Sequence, residues 1–435
     1  MHSISSPLRA EHRVRFVKHG ESLGLKTVIG QGVIVLRIFF AFLAAALMVA
    51  LCFGGLEAAS PTRISFWHYV ETESSLKELK ALTAAFNASQ GKYQIDENAV
   101  GNYSDIGVKL IAALRANDAP AMALVDNAFF ARLAQSNQLA ALNSVLDLPA
   151  TLQSDLVPVA WNYGQVNNQR FGLPWATSIL LLYYNADALK AKGIQVPKTW
   201  QEFAKVAKAL SSRGTKGAVF FLDAWLFGSV VTGLGGSIFD ASGMPDLDGP
   251  GSLEAVRFLL ELQKSGALTT RTFNEAQAGI IDLLRTKVFF AIAPSGSYTS
   301  IRPYSLTFNL AAKTLPGKSV AGEAQLVAFK GASPDQQKGL VEFWKFLLKT
   351  ENQERWAKSS FYIPVRKSVT IAEDERSIVS EAREGLERAV NFPPRAEMQE
   401  WRPIINDALE RIFKGGADPQ VTMAEAQKKM LSVGK

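Results

Sequence analysis

The apolar pattern is densest between Phe171 and Asn185. Pro174 fixes its own φ and biases Leu173 away from helix, so the first half of this stretch is extended. Ile179 to Tyr184 is an unbroken apolar run closed by Asn185, which predicts a strand buried on both faces. The small residues Ala176, Thr177 and Ser178 lie between the halves and mark the passage from one α/β lobe to another. Upstream, strand and helix periods alternate. A strand is predicted over 63–70, a helix opened by Glu71-Thr72-Glu73-Ser74, and a strand over 93–100. A capped turn at 101–105, a helix over 106–116 and a strand over 120–126 follow, and Asp126 and Asn127 start the next helix. This βαβαβ order predicts a mostly parallel sheet with helices on both faces. Ligands of such sheets sit beyond the carboxyl ends of the strands, where His68, Tyr103, Asp126 and Asn127 fall.

Downstream, Thr199 caps a helix over 200–210, a strand spans 217–222, and Ala224-Trp225-Leu226-Phe227 follows its end. Gly233-Leu-Gly-Gly236 is a flexible loop without dinucleotide spacing. Helices are expected over 252–264 and 274–285, then a strand over 288–293 that runs into Pro294-Ser-Gly-Ser297. Residues 313–322 read as a loop. The extended segments 326–329 and 361–365 read as second and third crossings between lobes. The remainder is mostly helical, in amphipathic segments 378–390, 402–413 and 421–431.

Composition narrows the function. The 435 residues suit two or three domains. Net charge is +7; six basic and three acidic residues fall within 1–59, so the rest carries +4, without a basic aromatic block for nucleic acid. Residues 1–59 read as an export leader: a basic segment, the apolar run 38–55, then Ala58, Ala59 and Ser60. An uncleaved anchor is the alternative, and Cys52 in a partial lipoprotein box is a weaker one. Cys52 is the single cysteine, and His68 is the single histidine beyond the leader. After cleavage this excludes a multi-histidine metal site and a Cys–His dyad. No metal or other cofactor is expected.

Phe66-Trp-His68, Phe86-Asn87 before a Ser-Gln pair, Gly101-Asn-Tyr103, Leu182-Tyr-Tyr-Asn185, Pro197-Lys-Thr-Trp-Gln-Glu-Phe203, Ser295-Gly-Ser297 and Tyr362-Ile-Pro364 occur in that order. Together they resemble the extracellular solute-binding proteins of ABC importers, and among those the glycerol-3-phosphate binders, over about residues 63–430. The resemblance implies an α/β, two-lobe periplasmic-binding-protein fold of type II, like maltose-binding protein. It implies three interlobe crossings, with lobes of 60–175 plus 326–360 and 178–323 plus 363–435. It further implies a periplasmic, non-enzymatic binder. Its solute is glycerol-3-phosphate or a glycerophosphodiester, passed to an ABC permease heterodimer and its ATPase. A sugar or oligosaccharide binder is the alternative, and an exported glycoside hydrolase a third reading.

The positions carried over by this resemblance are Tyr103, Asn127, Ser178, Trp225, Ser295, Gly296, Ser297, Gly322, Tyr362 and Arg395, with Arg402 as the reserve for the anion-binding arginine. These supply hydroxyls and a guanidinium for phosphate, an aromatic wall for carbon, and an amide for ligand hydroxyls. Asn127 stands where the glycerophosphate binders have an acidic residue, with Asp126 one position earlier.

Overall fold

Two five-stranded sheets carry the fold of the computed structural model, which describes residues 60–433 except 71, 102, 273, 274, 323 and 372–376. The expected leader, with Cys52 and the apolar run 38–55, lies outside the described residues. Among the described residues no helix is long and apolar enough to cross a membrane.

The first sheet contains β1 (Thr62–His68), β2 (Tyr93–Ala99), β3 (Met122–Asp126), β6 (Gly172–Pro174) and β13 (Ala324–Ala328), in the order β2-β1-β3-β13-β6. β4 (Gln165–Val166) and β5 (Gln169–Arg170) form a small hairpin beside it. Its helices are α1 (Glu73–Ser89), α2 (Tyr103–Arg115), α3 (Asn127–Gln135), α4 (Ala150–Asp155) and α5 (Pro158–Tyr163). The second sheet contains β8 (Leu180–Asn185), β9 (Lys216–Leu222), β10 (Leu268–Thr272), β11 (Val288–Pro294) and β12 (Leu310–Thr314), in the order β10-β9-β11-β8-β12. With it come α6 (Ala186–Ala191), α7 (Trp200–Leu210), α8 (Ala224–Gly233), α9 (Pro250–Lys264), α10 (Ala276–Leu284) and the short α11 (Tyr298–Ile301). The chain then adds α12 (Pro334–Leu347), α13 (Thr350–Ser360), α14 (Ile378–Leu386), α15 (Met398–Phe413) and α16 (Pro419–Ser432).

The opening βαβαβ order is present, and β1 pairs in parallel with both β2 and β3. The mostly parallel expectation needs correction. β13 runs antiparallel to β3 and β6, and β8 runs antiparallel to β11 and β12, so both sheets are mixed. A strand that returns from the other sheet enters without a helical crossover and need not run parallel. β8 is buried as its apolar run implies, with Tyr184 its least buried member. Residues 313 and 314, expected in a loop, belong to β12, and Ala224-Trp225-Leu226-Phe227 opens the helix α8.

Three chain segments pass between the sheets side by side. β7 (Ala176–Thr177) pairs antiparallel with β14 (Ile363–Pro364), and Ser178 bridges Gly322. The Thr177 hydroxyl also donates to Gly322 O at 3.1 Å. The second passage is therefore at Ala321–Gly322; residues 326–328, expected there, lie inside the first sheet because β13 fills the gap between β3 and β6. Trp344 Nε1 donates to Pro174 O at 2.7 Å, and Gln353 Nε2 to Trp175 O at 3.1 Å, which fixes the passage to α12 and α13. α15 packs against α3 on one side and α8 on the other.

Candidate functional site

A cavity of about 660 Å³ lies where the carboxyl ends of β1, β3, β9 and β11 meet the passage segments. That is within the range of small-molecule sites. Each wall follows from what ends a strand. β3 ends at Asp126, whose Oδ1 accepts from Ala128 N at 2.8 Å and Phe129 N at 3.1 Å, capping α3. The cap sets Asn127 at the cavity, and its carbonyl accepts from Tyr163 OH at 3.1 Å. Burial, and secondarily the Asp126 charge, push the Tyr163 phenol up, while Arg402 pulls it down. These groups thus share one electrostatic neighbourhood.

β9 ends before Asp223, which caps α8 by accepting from Trp225 N at 2.9 Å. The Trp225 indole donates to Val320 O at 2.8 Å and lies flat against Gly322. A Cβ on Gly322 would come within 2.4 Å of Trp225 Cζ2, so this wall requires glycine. Arg402, on α15, reaches into the cavity, and its NH2 lies 3.6 Å from Asp223 Oδ2. β11 ends in Pro294, and Gly296 and Ser297 then line the cavity. Tyr362 stacks on Trp356 with ring centroids 6.4 Å apart and planes 8° from parallel, and Trp356 contacts Trp175 at 4.1 Å.

The structure thus brings Asn127, Trp225, Gly296, Ser297, Gly322 and Tyr362 around one cavity. Three expected positions lie elsewhere. Ser178 and Ser295 are buried, their hydroxyls 3.1 Å apart, and they tie the first passage to the end of β11. Arg395 pairs with Glu397 at 3.2 Å, over the Trp401 ring, outside the cavity lining. Its place is taken by Arg402, because the helical turn of α15 aims that residue between α3 and α8. Tyr103 opens α2, but its side chain is outside what the structure describes. His68 is fully buried. Its Nδ1 accepts from Val70 N at 3.3 Å, so Nε2 carries the proton and donates to Glu97 at 2.7 Å. Burial lowers its pKa against the opposing pull of Glu97.

Tyr69, Thr72, Ser75 and Trp356 also line the cavity and were not singled out in the sequence. Tyr69 and Thr72 are legible after the fact as the first residues beyond β1. No local signal distinguishes Trp356, which sits late in an ordinary amphipathic helix.

The bacterial extracellular solute-binding protein model matches residues 81–378. The chain is 27% identical over 430 residues to the sn-glycerol-3-phosphate-binding periplasmic protein UgpB of Escherichia coli strain K12, covering 88% of this chain and 95% of that one. Among solved structures it is similar to the GacH receptor of Streptomyces glaucescens (TM-score 0.75, 21% identity, 86% of this chain and 100% of that one). It is likewise similar to UgpB of Mycobacterium tuberculosis in complex with glycerophosphocholine (TM-score 0.73, 22% identity, 86% and 98%). The sugar-binding protein MalE of Xanthomonas citri also matches (TM-score 0.75, 20% identity, 85% and 96%). The two mixed sheets and their helices are the maltose-binding-protein-like α/β fold of the expectation. With the family model spanning more than half of its length, this chain belongs to the bacterial extracellular solute-binding protein family.

Proposed function

We propose that this chain is the periplasmic binding subunit of an ABC importer. It captures a glycerol phosphate, with preference for a glycerophosphodiester over glycerol-3-phosphate, and delivers it to a permease heterodimer driven by an ATPase. The two sheets act as lobes, 60–175 with 326–360 and 178–323 with 363–435, that close on the solute. The observation that carries this reading is Arg402 in the cavity beside Asn127, Trp225 and Ser297. A guanidinium, an amide and a hydroxyl are the donors that a phosphate ester needs, and the indole covers its carbon chain.

The preference for a diester follows from charge. Arg402 already faces Asp223, and Asp126 lines the same cavity, so these three groups sum to −1. A phosphomonoester approaches two negative charges at pH 7, with a second pKa of about 6, whereas a diester carries one. The aromatic walls and the sugar-binding structural neighbours favour a neutral sugar as the second reading. Titration calorimetry with glycerol-3-phosphate, glycerophosphocholine and maltose separates the two. The expected result is tightest binding of the diester and stronger monoester binding as pH falls through about 6. Replacing Arg402 by Gln should weaken both esters by about 2–5 kcal/mol. Tight maltose binding with Arg402→Gln silent would establish the sugar reading instead.

A further inference from the structure

The cavity has two chemically different ends, and the strand order separates them. β1 is the neighbour of β3 in the first sheet, and β11 is the neighbour of β9 in the second. Adjacent strands lie about 4.8 Å apart, so residues leaving β3 and β9 are offset by that distance from those leaving β1 and β11. The β3 and β9 ends hold the charged groups Asp126, Asp223 and Arg402. The β1 and β11 ends hold Tyr69, Thr72, Ser75 and Ser297 with the Trp356–Tyr362 stack, and every described side chain lining that end is neutral. A Cβ on Gly296 would lie 3.3 Å from the Tyr362 ring, so the glycine lets the ring sit tight against the end of β11. Thr72 donates to Ser75 at 2.7 Å, which leaves hydroxyl oxygens to accept from a ligand.

Resting on the phosphate reading above, we infer that the solute is a mixed phosphodiester of glycerol and a neutral cyclic polyol or sugar. The phosphate and glycerol occupy the Arg402 end, and the ring occupies the hydroxyl-aromatic end. A ring with apolar C–H faces and equatorial hydroxyls matches an aromatic platform edged by hydroxyls. A bare phosphomonoester leaves that half of the cavity to water. A quaternary ammonium headgroup meets no described carboxylate there.

Calorimetry with glycerophosphoinositol, glycerophosphocholine, glycerol-3-phosphate and free inositol tests this. Glycerophosphoinositol should bind at least about tenfold tighter than each of the others, the worth of one aromatic platform. Tyr362→Ala should collapse its advantage over glycerol-3-phosphate to about twofold. Tyr362→Phe, which keeps the ring and the packing, should retain most of that advantage. The inference is overturned if glycerol-3-phosphate or glycerophosphocholine binds as tightly, or if Tyr362→Ala leaves the ratio intact. Failure of every phosphate compound together with a silent Arg402→Gln would instead overturn the phosphate reading, and this inference with it.

Discussion

Asp223 competes with the solute for Arg402, and removing its charge should tighten phosphate binding. Asp223→Asn is the cleanest perturbation. The side chain is 2% exposed, caps α8 through Trp225 N, and faces Arg402 at 3.6 Å. Asparagine caps helices as well as aspartate does, so Trp225 should keep its place. A phosphate oxygen on the far edge of the guanidinium, at about 2.8 Å, would lie about 6 Å from Asp223. At an effective dielectric constant of about 20, unit charges at that separation repel by about 2.8 kcal/mol. Water entering the cleft reduces this, so the expected gain is about 1.5–3 kcal/mol, roughly 10- to 100-fold in affinity. The same variant should lose some thermal stability without ligand, because Arg402 loses its partner. Calorimetry of the esters, with maltose as the uncharged control, gives the answer. Unchanged or weaker ester affinity in Asp223→Asn would show that the pair does not compete with the solute, and the charge argument for a diester would fall.

Three further perturbations follow. Gly322→Ala should drive Trp225 out of position, since the new methyl overlaps its ring; an overpacking cost of about 1–3 kcal/mol should appear in thermal unfolding together with a loss of ester affinity, and a wild-type profile would refute the close packing. Gln135 joins α3 to the segment before α15, donating to Pro394 O at 2.8 Å and accepting from Ala396 N at 3.3 Å. Gln135→Ala should cost about 0.5–1.5 kcal/mol per bond, read as faster ester release, and an unchanged off-rate would show that the contact does not help hold the cleft shut. His68 has a folded pKa below its unfolded value because it is buried, so the neutral ring adds stability above about pH 6.5. That stability is lost as pH falls through the folded value, and His68→Gln should flatten the acid side of a melting-temperature profile; equal slopes would refute it.

Local periodicity made the opening of the fold legible. The alternation through β1, β2 and β3 and the solid apolar run of β8 each depend on neighbours in sequence. Strand direction did not show, because β13 and β12 take their partners from segments far away in the chain. α8 escaped notice because it is buried on nearly all sides and lacks an amphipathic period, although Asp223 was a usable cap signal. The candidate site divides the same way. Asn127 and Trp225 follow strand ends, so topology alone placed them. Whether Arg395 or Arg402 enters the cavity depends on how α15 wedges between α3 and α8, a non-local packing choice. Ser178 and Ser295 had the right chemistry but satisfy each other.

The tryptophan wall has an optical consequence. Trp175, Trp225 and Trp356 line the cavity, and the other five tryptophans do not. Trp175 and Trp356 have centroids 4.1 Å apart, close enough for excitation to pass between them before emission. Light absorbed by either indole therefore ends on a pair that faces the solute, and the colour of its emission tracks the water displaced when the cleft fills. Trp225, hydrogen-bonded to Val320 O at the charged end, is a second reporter with its own surroundings. The protein thus carries an unlabelled ultraviolet sensor with two channels, one for each end of the solute.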